Sequence, residues 1–81
     1  MTKLEQKLVE LGYKQKYRRS KKYSKHFRLC ELIIRLHKEE IADFYIEINI
    51  TIDNQYQIDV IQQAFNQLQK DLEVLTNGTK D

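Results

Sequence analysis

Eight lysines and arginines stand at positions 14–28 with no acid among them: Lys14, Lys16, Arg18, Arg19, Lys21, Lys22, Lys25 and Arg28. Tyr13, Tyr17, Tyr23 and Phe27 are interleaved with them. Cations strung along a chain meet phosphates and aromatic rings between them stack on bases, so this stretch suits a nucleic acid or another polyanion. If half of the eight charges met phosphates, log affinity would fall with log salt at a slope of about −3.6. The same residues also make sense without a ligand. Lysines on an edge strand prevent pairing with other chains, and the tyrosines then belong to the core. The imbalance is regional: 14 basic and 12 acidic residues give a net charge of +2, yet from position 31 onward ten acids face four bases. The chain is a dipole more than a basic protein.

Other reactive groups are sparse. Cys30, His26 and His37 are the only soft metal ligands, and their spacing fits no zinc pattern, so no metal is expected. Cys30 lies at the parity of Leu32 and Ile34, which favours a small buried hydrophobe over a reactive thiol. Glu39 and Glu40 sit in a polar turn, and Glu31 opposite Glu47 reads as solvent-facing. With only Gly12 and Gly78, no glycine-rich phosphate loop can form. No nucleophile, base and orienting group converge, so neither catalysis nor a cofactor is expected.

The elements that position these groups are well marked. From Ala42 to Ile52 every even residue is apolar, and the odd ones are Asp43, Tyr45, Glu47, Asn49 and Thr51, the pattern of a strand with one dry and one wet face. Ahead of it, Cys30, Leu32, Ile34 and Leu36 give a second even-faced strand starting near Tyr23. Phe27 and Leu29 break its parity, which predicts a bulge near 28–30 or an apolar spot outside. Keeping both even faces together pairs Ile34 with Phe44 and Leu32 with Ile46. A short edge strand over 13–19, tyrosines inward, precedes them.

Two helices frame the strands. Thr2 and Glu5 form a capping box, Leu4, Leu8 and Leu11 follow at helical spacing, and Gly12 provides the C′ residue. Asp53 or Asn54 caps the last helix, whose stripe of Ile58, Ile61, Phe65, Leu68, Leu72 and Leu75 predicts a core helix on the sheet; Gly78 ends it. The reading is a single α+β domain over residues 1–81, in the order α-β-β-β-α, a three-stranded antiparallel meander with both helices packed on one face. A core this small gives only a few kcal/mol of net stability, about 5 at most, so the expected state is a monomer or a weak homodimer.

Leu29, Ile33 and Tyr45 then point away from the helices with nothing left in the chain to cover them. That makes the outer sheet face, flanked by the basic segment, a candidate patch for another protein. No run approaches the roughly 20 apolar residues of a membrane span, and the N-terminus lacks a signal peptide's apolar run. With a single cysteine, an intracellular, reducing location is expected.

The α-β-β-β-α order resembles that of the double-stranded-RNA-binding domain, which grips phosphates through a lysine-rich start to its second helix; here residues 54–59 are neutral to acidic. Three strands and a helix are also similar to the arm-binding domain of phage integrases, but Glu31, Asp43 and Glu47 would repel DNA from that face. A broader likeness comes from the opening Met1-Thr2-Lys3-Leu4-Glu5-Gln6-Lys7-Leu8-Val9-Glu10-Leu11-Gly12-Tyr13 and the stretch at 61–75. Both resemble small uncharacterised proteins of temperate phages (prophages) of Gram-positive bacteria. The resemblance implies a non-enzymatic accessory protein of the host cytoplasm that acts by binding a host or phage protein. Nonspecific nucleic-acid binding through 14–28 is the alternative.

Overall fold

The computed structural model describes residues 2–48 and 54–77. Along the chain come α1 (Lys3–Glu10), β1 (Lys14–Gln15), β2 (Lys22–Phe27), β3 (Cys30–His37), β4 (Glu40–Ile48) and α2 (Gln55–Asn77). The strands form one antiparallel sheet in the order β1-β2-β3-β4. The class is α+β as expected, but with four strands in place of three.

The extra strand explains the parity break. Phe27 is paired with Cys30, so Arg28 and Leu29 are the two loop residues of a hairpin, not a bulge within one long strand. Arg28 takes a φ of 51°. Two-residue hairpins need positive φ, and sequence signals such as Asn-Gly announce them because those residues adopt it cheaply. An arginine there sends no such signal. Lys38 does the same between β3 and β4, with a φ of 60°.

α1 follows its sequence closely. The Thr2 hydroxyl accepts from the Glu5 amide at 3.2 Å and donates to the Glu5 carboxylate at 3.2 Å. At the far end the Tyr13 amide donates to Leu8 O at 2.9 Å and the Gly12 amide to Val9 O at 3.0 Å. Gly12 holds the left-handed conformation that this Schellman ending demands, with a φ of 99°. Its pro-side-chain position faces the Lys25 stem at 3.2 Å, so even a methyl group would crowd it.

β3 and β4 pair as their alternation requires, Ile34 with Phe44 and Leu32 with Ile46. A register shift between Arg35 and Leu36 leaves Ala42 as an extra residue in β4, so Ile41 shares the inner face with Phe44 and Ile46. Asn54 caps α2, its side-chain oxygen accepting from the Gln57 amide at 3.0 Å. The expected strand residues 49–52, Asp53 as a cap and Gly78 as terminator lie outside the described residues.

One core holds the molecule together. Leu4 and Leu8 of α1, Tyr13 just ahead of β1, Tyr23, Cys30, Leu32, Ile34 and Leu36 of the sheet, and Ala64, Leu68 and Leu75 of α2 pack as a single cluster. Both helices therefore lie on one face. α2, however, does not turn its apolar stripe squarely to the sheet. Val60, Ala64, Leu68, Asp71 and Leu75 are its buried residues, whereas Ile58 and Phe65 are exposed. At 100° per residue, the buried arc is centred about 70° from the middle of the stripe at 58–75.

The cause is a buried acid. The Asp71 carboxylate accepts from the Tyr13 hydroxyl at 2.9 Å, from Lys25 Nζ at 2.8 Å and from Gln67 Nε2 at 3.0 Å. Lys25 Nζ also donates to Leu11 O at 2.9 Å and lies 4.9 Å from the centre of the Tyr13 ring. A buried charge must have such partners, and only one azimuth of α2 presents Asp71 to them. The clasp fixes the helix, and part of the stripe is left outside.

Candidate functional site

The basic stretch divides into parts with different fates. Lys25 is consumed by the Asp71 clasp. Lys16 pairs with Glu31 at 3.2 Å, and Lys22 lies over the Tyr45 ring, 5.5 Å from its centre; hydrogen bonding with the Tyr45 side chain raises the ammonium pKa. Lys14, Arg18, Arg19, Lys21 and Arg28 face solvent. Arg28 stands at the β2–β3 turn, about 20 Å along β2 from the others. What remains together is Lys14, Arg18, Arg19 and Lys21 around the β1–β2 loop.

That loop is well ordered by its own hydrogen bonds. The Ser20 amide donates to Tyr17 O at 2.9 Å and Gln15 Nε2 to Ser20 O at 3.0 Å, while Ser20 Oγ accepts from the Lys22 amide at 3.0 Å. Arg19 sits at its bend with a φ of 66°. The expected edge strand over 13–19 shrinks to two residues because the chain turns here. Tyr13 points inward as expected, but Tyr17 is 75% exposed at the loop tip, beside the guanidinium groups. The other aromatics of the stretch are not platforms for bases. Tyr13 and Tyr23 are buried and Phe27 packs against the core. Burial, and then the hydrogen bond it donates to Glu5, push the Tyr23 hydroxyl up to about 12; burial also raises that of Tyr13.

The outer sheet face differs from expectation. Ile33 is fully buried although no helix reaches it. It pairs with Ser24 on one side and Tyr45 on the other. Around it, Glu31 is held by Lys16, Arg35 by Asp43 and Tyr45 by Lys22, so long side chains pinned in pairs close over the isoleucine. The Arg35 guanidinium holds the Asp43 carboxyl below its usual range. Leu29 is half-buried in its turn and Tyr45 is partly exposed. Ile33, Leu29 and Tyr45 therefore form no open apolar patch.

Open apolar surface lies instead on the helix side of β4, the face that the alternation from Ala42 to Ile52 predicts to be dry. Phe44 is 52% exposed and Phe65 57%. An open groove of about 560 Å³ runs between them, lined by Phe44, Tyr45, Ile46, Phe65, Leu68, Gln69 and Leu72. It continues past Phe44 and Leu72 toward Ile41. α2 packs over β3 and covers the inner face of β4 only in part: Ile41 and Ile46 are half-buried against the core, whereas Phe44 is open. The inward direction of Phe44 and Ile46 was legible; the missing cover was not. The one signal for it was the pair Val60 and Ala64, four apart in the same arc as Asp71, an alternative buried face that a stripe of larger side chains obscured.

Cys30 is buried on the inner face, where burial raises its thiol pKa. His26, opposite Glu31, and His37, at the end of β3, are exposed and do not approach it. Among the described residues no set of three histidine, cysteine or acidic side chains is placed to hold a metal ion. Among them, too, no helix is long and apolar enough to cross a membrane. Comparison with known protein families, with curated proteins and with solved structures finds no match to this chain.

Proposed function

We propose that this protein is a non-enzymatic accessory module, of the kind temperate phages supply to the cytoplasm of a host cell, and that it acts by binding a host or phage protein. The contact is the β1–β2 loop, where Tyr17, Arg18 and Arg19 stand together with Lys14 and Lys21 beside them. The observation that carries the reading is the company these cations keep: one exposed tyrosine and two solvent-facing arginines on a loop pinned by its own hydrogen bonds. Tyrosine and arginine dominate the energetic centres of protein interfaces, and a preorganised loop loses little freedom on binding. The complementary surface is acidic.

Nucleic acid is the less favoured partner because, of the four rings that could stack on bases, Tyr13 and Tyr23 are buried and Phe27 packs against the core, which leaves Tyr17 alone open. The sheet face next to the loop also carries Glu31, Asp43 and Glu47.

The test is capture from host lysate, with and without nuclease, by the wild type and by a variant with Lys14, Arg18, Arg19 and Lys21 changed to glutamine. A protein retained after nuclease and lost with the variant is the expected outcome; the purified pair should then bind more weakly as salt rises. Material that disappears with nuclease would establish the nucleic-acid reading in its place. Equal retention by the glutamine variant would exclude the loop.

A further inference from the structure

We propose that the β4 edge and the groove beside α2 form the two-fold interface of a homodimer, in which β4 pairs antiparallel with β4 of a second copy about Ile46. This surface is separate from the β1–β2 loop, so the two proposals stand or fall independently.

The two sheet edges are treated differently. β1 is two residues long, contains Lys14 and is followed by Lys16 and Arg18, which deter pairing. β4 is nine residues long, with no lysine, arginine or proline, and apolar on its inner side. Nothing among the described residues pairs with its free edge.

The strand is also complementary to itself. Centred on Ile46, a two-fold pair sets Phe44 opposite Ile48 of the second copy and Tyr45 opposite Glu47. The inner row is then wholly apolar, with an aromatic against a β-branched partner at each end. Neighbouring registers are worse. A centre at Tyr45 opposes Asp43 with Glu47, a centre at Glu47 opposes two carboxylates, and a centre at Phe44 runs Ile46 onto the bulge at Ala42. Isologous contacts of this kind close on themselves, so the assembly stops at two chains.

The helices fit the same operation. α2 lies over β3, so joining two β4 strands places the two α2 helices about 14 Å apart, three strand spacings. Bare helix packing needs only 8–10 Å, which leaves a slot one large side chain wide. Phe65 projects from α2 into the groove, and the two copies of Phe65 above the two copies of Phe44 fill that slot. The half-exposed rings of Phe44, Tyr45 and Phe65 alone offer about 300 Å² per chain. With Ile46, Ile48, Ile58 and Leu72 the total over both chains passes roughly 1,000 Å², the lower bound for a specific interface.

The experiment is sedimentation equilibrium of the full chain over a range of concentrations. The wild type should weigh twice its 9.8 kDa when concentrated and dissociate on dilution. Phe65→Glu should weaken the dimer by about thirtyfold or more while far-UV circular dichroism and the melting temperature of the monomer stay unchanged. Val9→Glu, on the exposed side of α1, should leave dimerisation intact, and so should the glutamine variant of the basic loop. Ile46→Cys should form a disulfide with its own copy on mild oxidation, because opposed strand residues lie within disulfide reach. A monomer at every concentration, an open-ended assembly, a Phe65→Glu protein that still dimerises, or cross-linking through Tyr45→Cys in preference to Ile46→Cys would each overturn the proposal.

Discussion

The two flanks of α2 meet the sheet on different terms. One flank carries Val60, Ala64, Gln67 and Asp71, and it is locked to Tyr13, Lys25 and the end of α1 by a fully satisfied polar clasp. The other carries Ile58, Phe65 and Leu72 and looks across an open groove at β4. Apolar burial is non-directional and would tolerate many rotations of the helix; a buried carboxylate with three donors tolerates one. The lesson is that a single polar constraint overruled a larger apolar stripe and left part of it for use elsewhere.

The contrast is sharpest between cross-strand partners. Ile34 and Phe44 oppose each other on the same sheet face, the first fully buried under the helices and the second about half exposed. Ile34→Ala should cost about 4 kcal/mol, a transfer loss plus a cavity. Phe44→Ala should cost under about 1 kcal/mol when urea unfolding is followed at a concentration where the chain is monomeric. Equal losses would mean that β4 is covered after all. Asp71→Ala should cost about 3 kcal/mol, because Lys25 and the Tyr13 hydroxyl lose their acceptor inside the fold. The double change Asp71→Leu with Lys25→Met should recover most of that loss and free α2 to turn its stripe inward, shrinking the groove. Monomer stability by urea and dimer affinity by sedimentation would report the two effects separately.

These comparisons also show what the amino-acid sequence could carry. Strict alternation in β3 and β4 made the Ile34–Phe44 pairing readable, since a slip of one residue would expose every isoleucine. The Thr2 and Gly12 boundaries of α1 were readable because each has a local chemical cause. The turn at Arg28 and Leu29 was not, because its backbone conformation is imposed by flanking strands on a residue that does not favour it. Nor was Asp71 recognisable as a core residue, since its partners Tyr13 and Lys25 are 58 and 46 positions away. The basic segment was visible as composition, but which charges are free depends on where Glu31, Tyr45 and Asp71 fall.

Smaller effects test the edges of the sheet. Gly12→Ala should lose about 1–2 kcal/mol, since alanine resists the left-handed conformation and crowds the Lys25 stem on the clasped side. Lys38→Gly, at the turn leading into β4, should gain up to about 1 kcal/mol for the opposite reason. Both follow from thermal melts. Last comes the pH dependence of the clasped side. Tyr23 holds its proton up to about 12 in the fold against 10.0 ordinarily, so stability is full below pH 10 and is lost as pH rises through about 12. The hydrogen bond from Tyr23 lowers the Glu5 pKa, so that contribution is present above the ordinary carboxylate range and fades as pH falls through the lowered value. Tyr23→Phe should flatten both ends of the profile of melting temperature against pH.

Amide hydrogen exchange, measured at two protein concentrations, addresses both sheet edges at once. Protection of the Phe44, Ile46 and Ile48 amides, which point to the free edge of β4, should rise with concentration, while that of Lys14, Gln15, Arg18 and Arg19 should not change. Protection of β4 that is independent of concentration, or a rise confined to the β1 edge, would contradict a β4 surface built to receive a second chain.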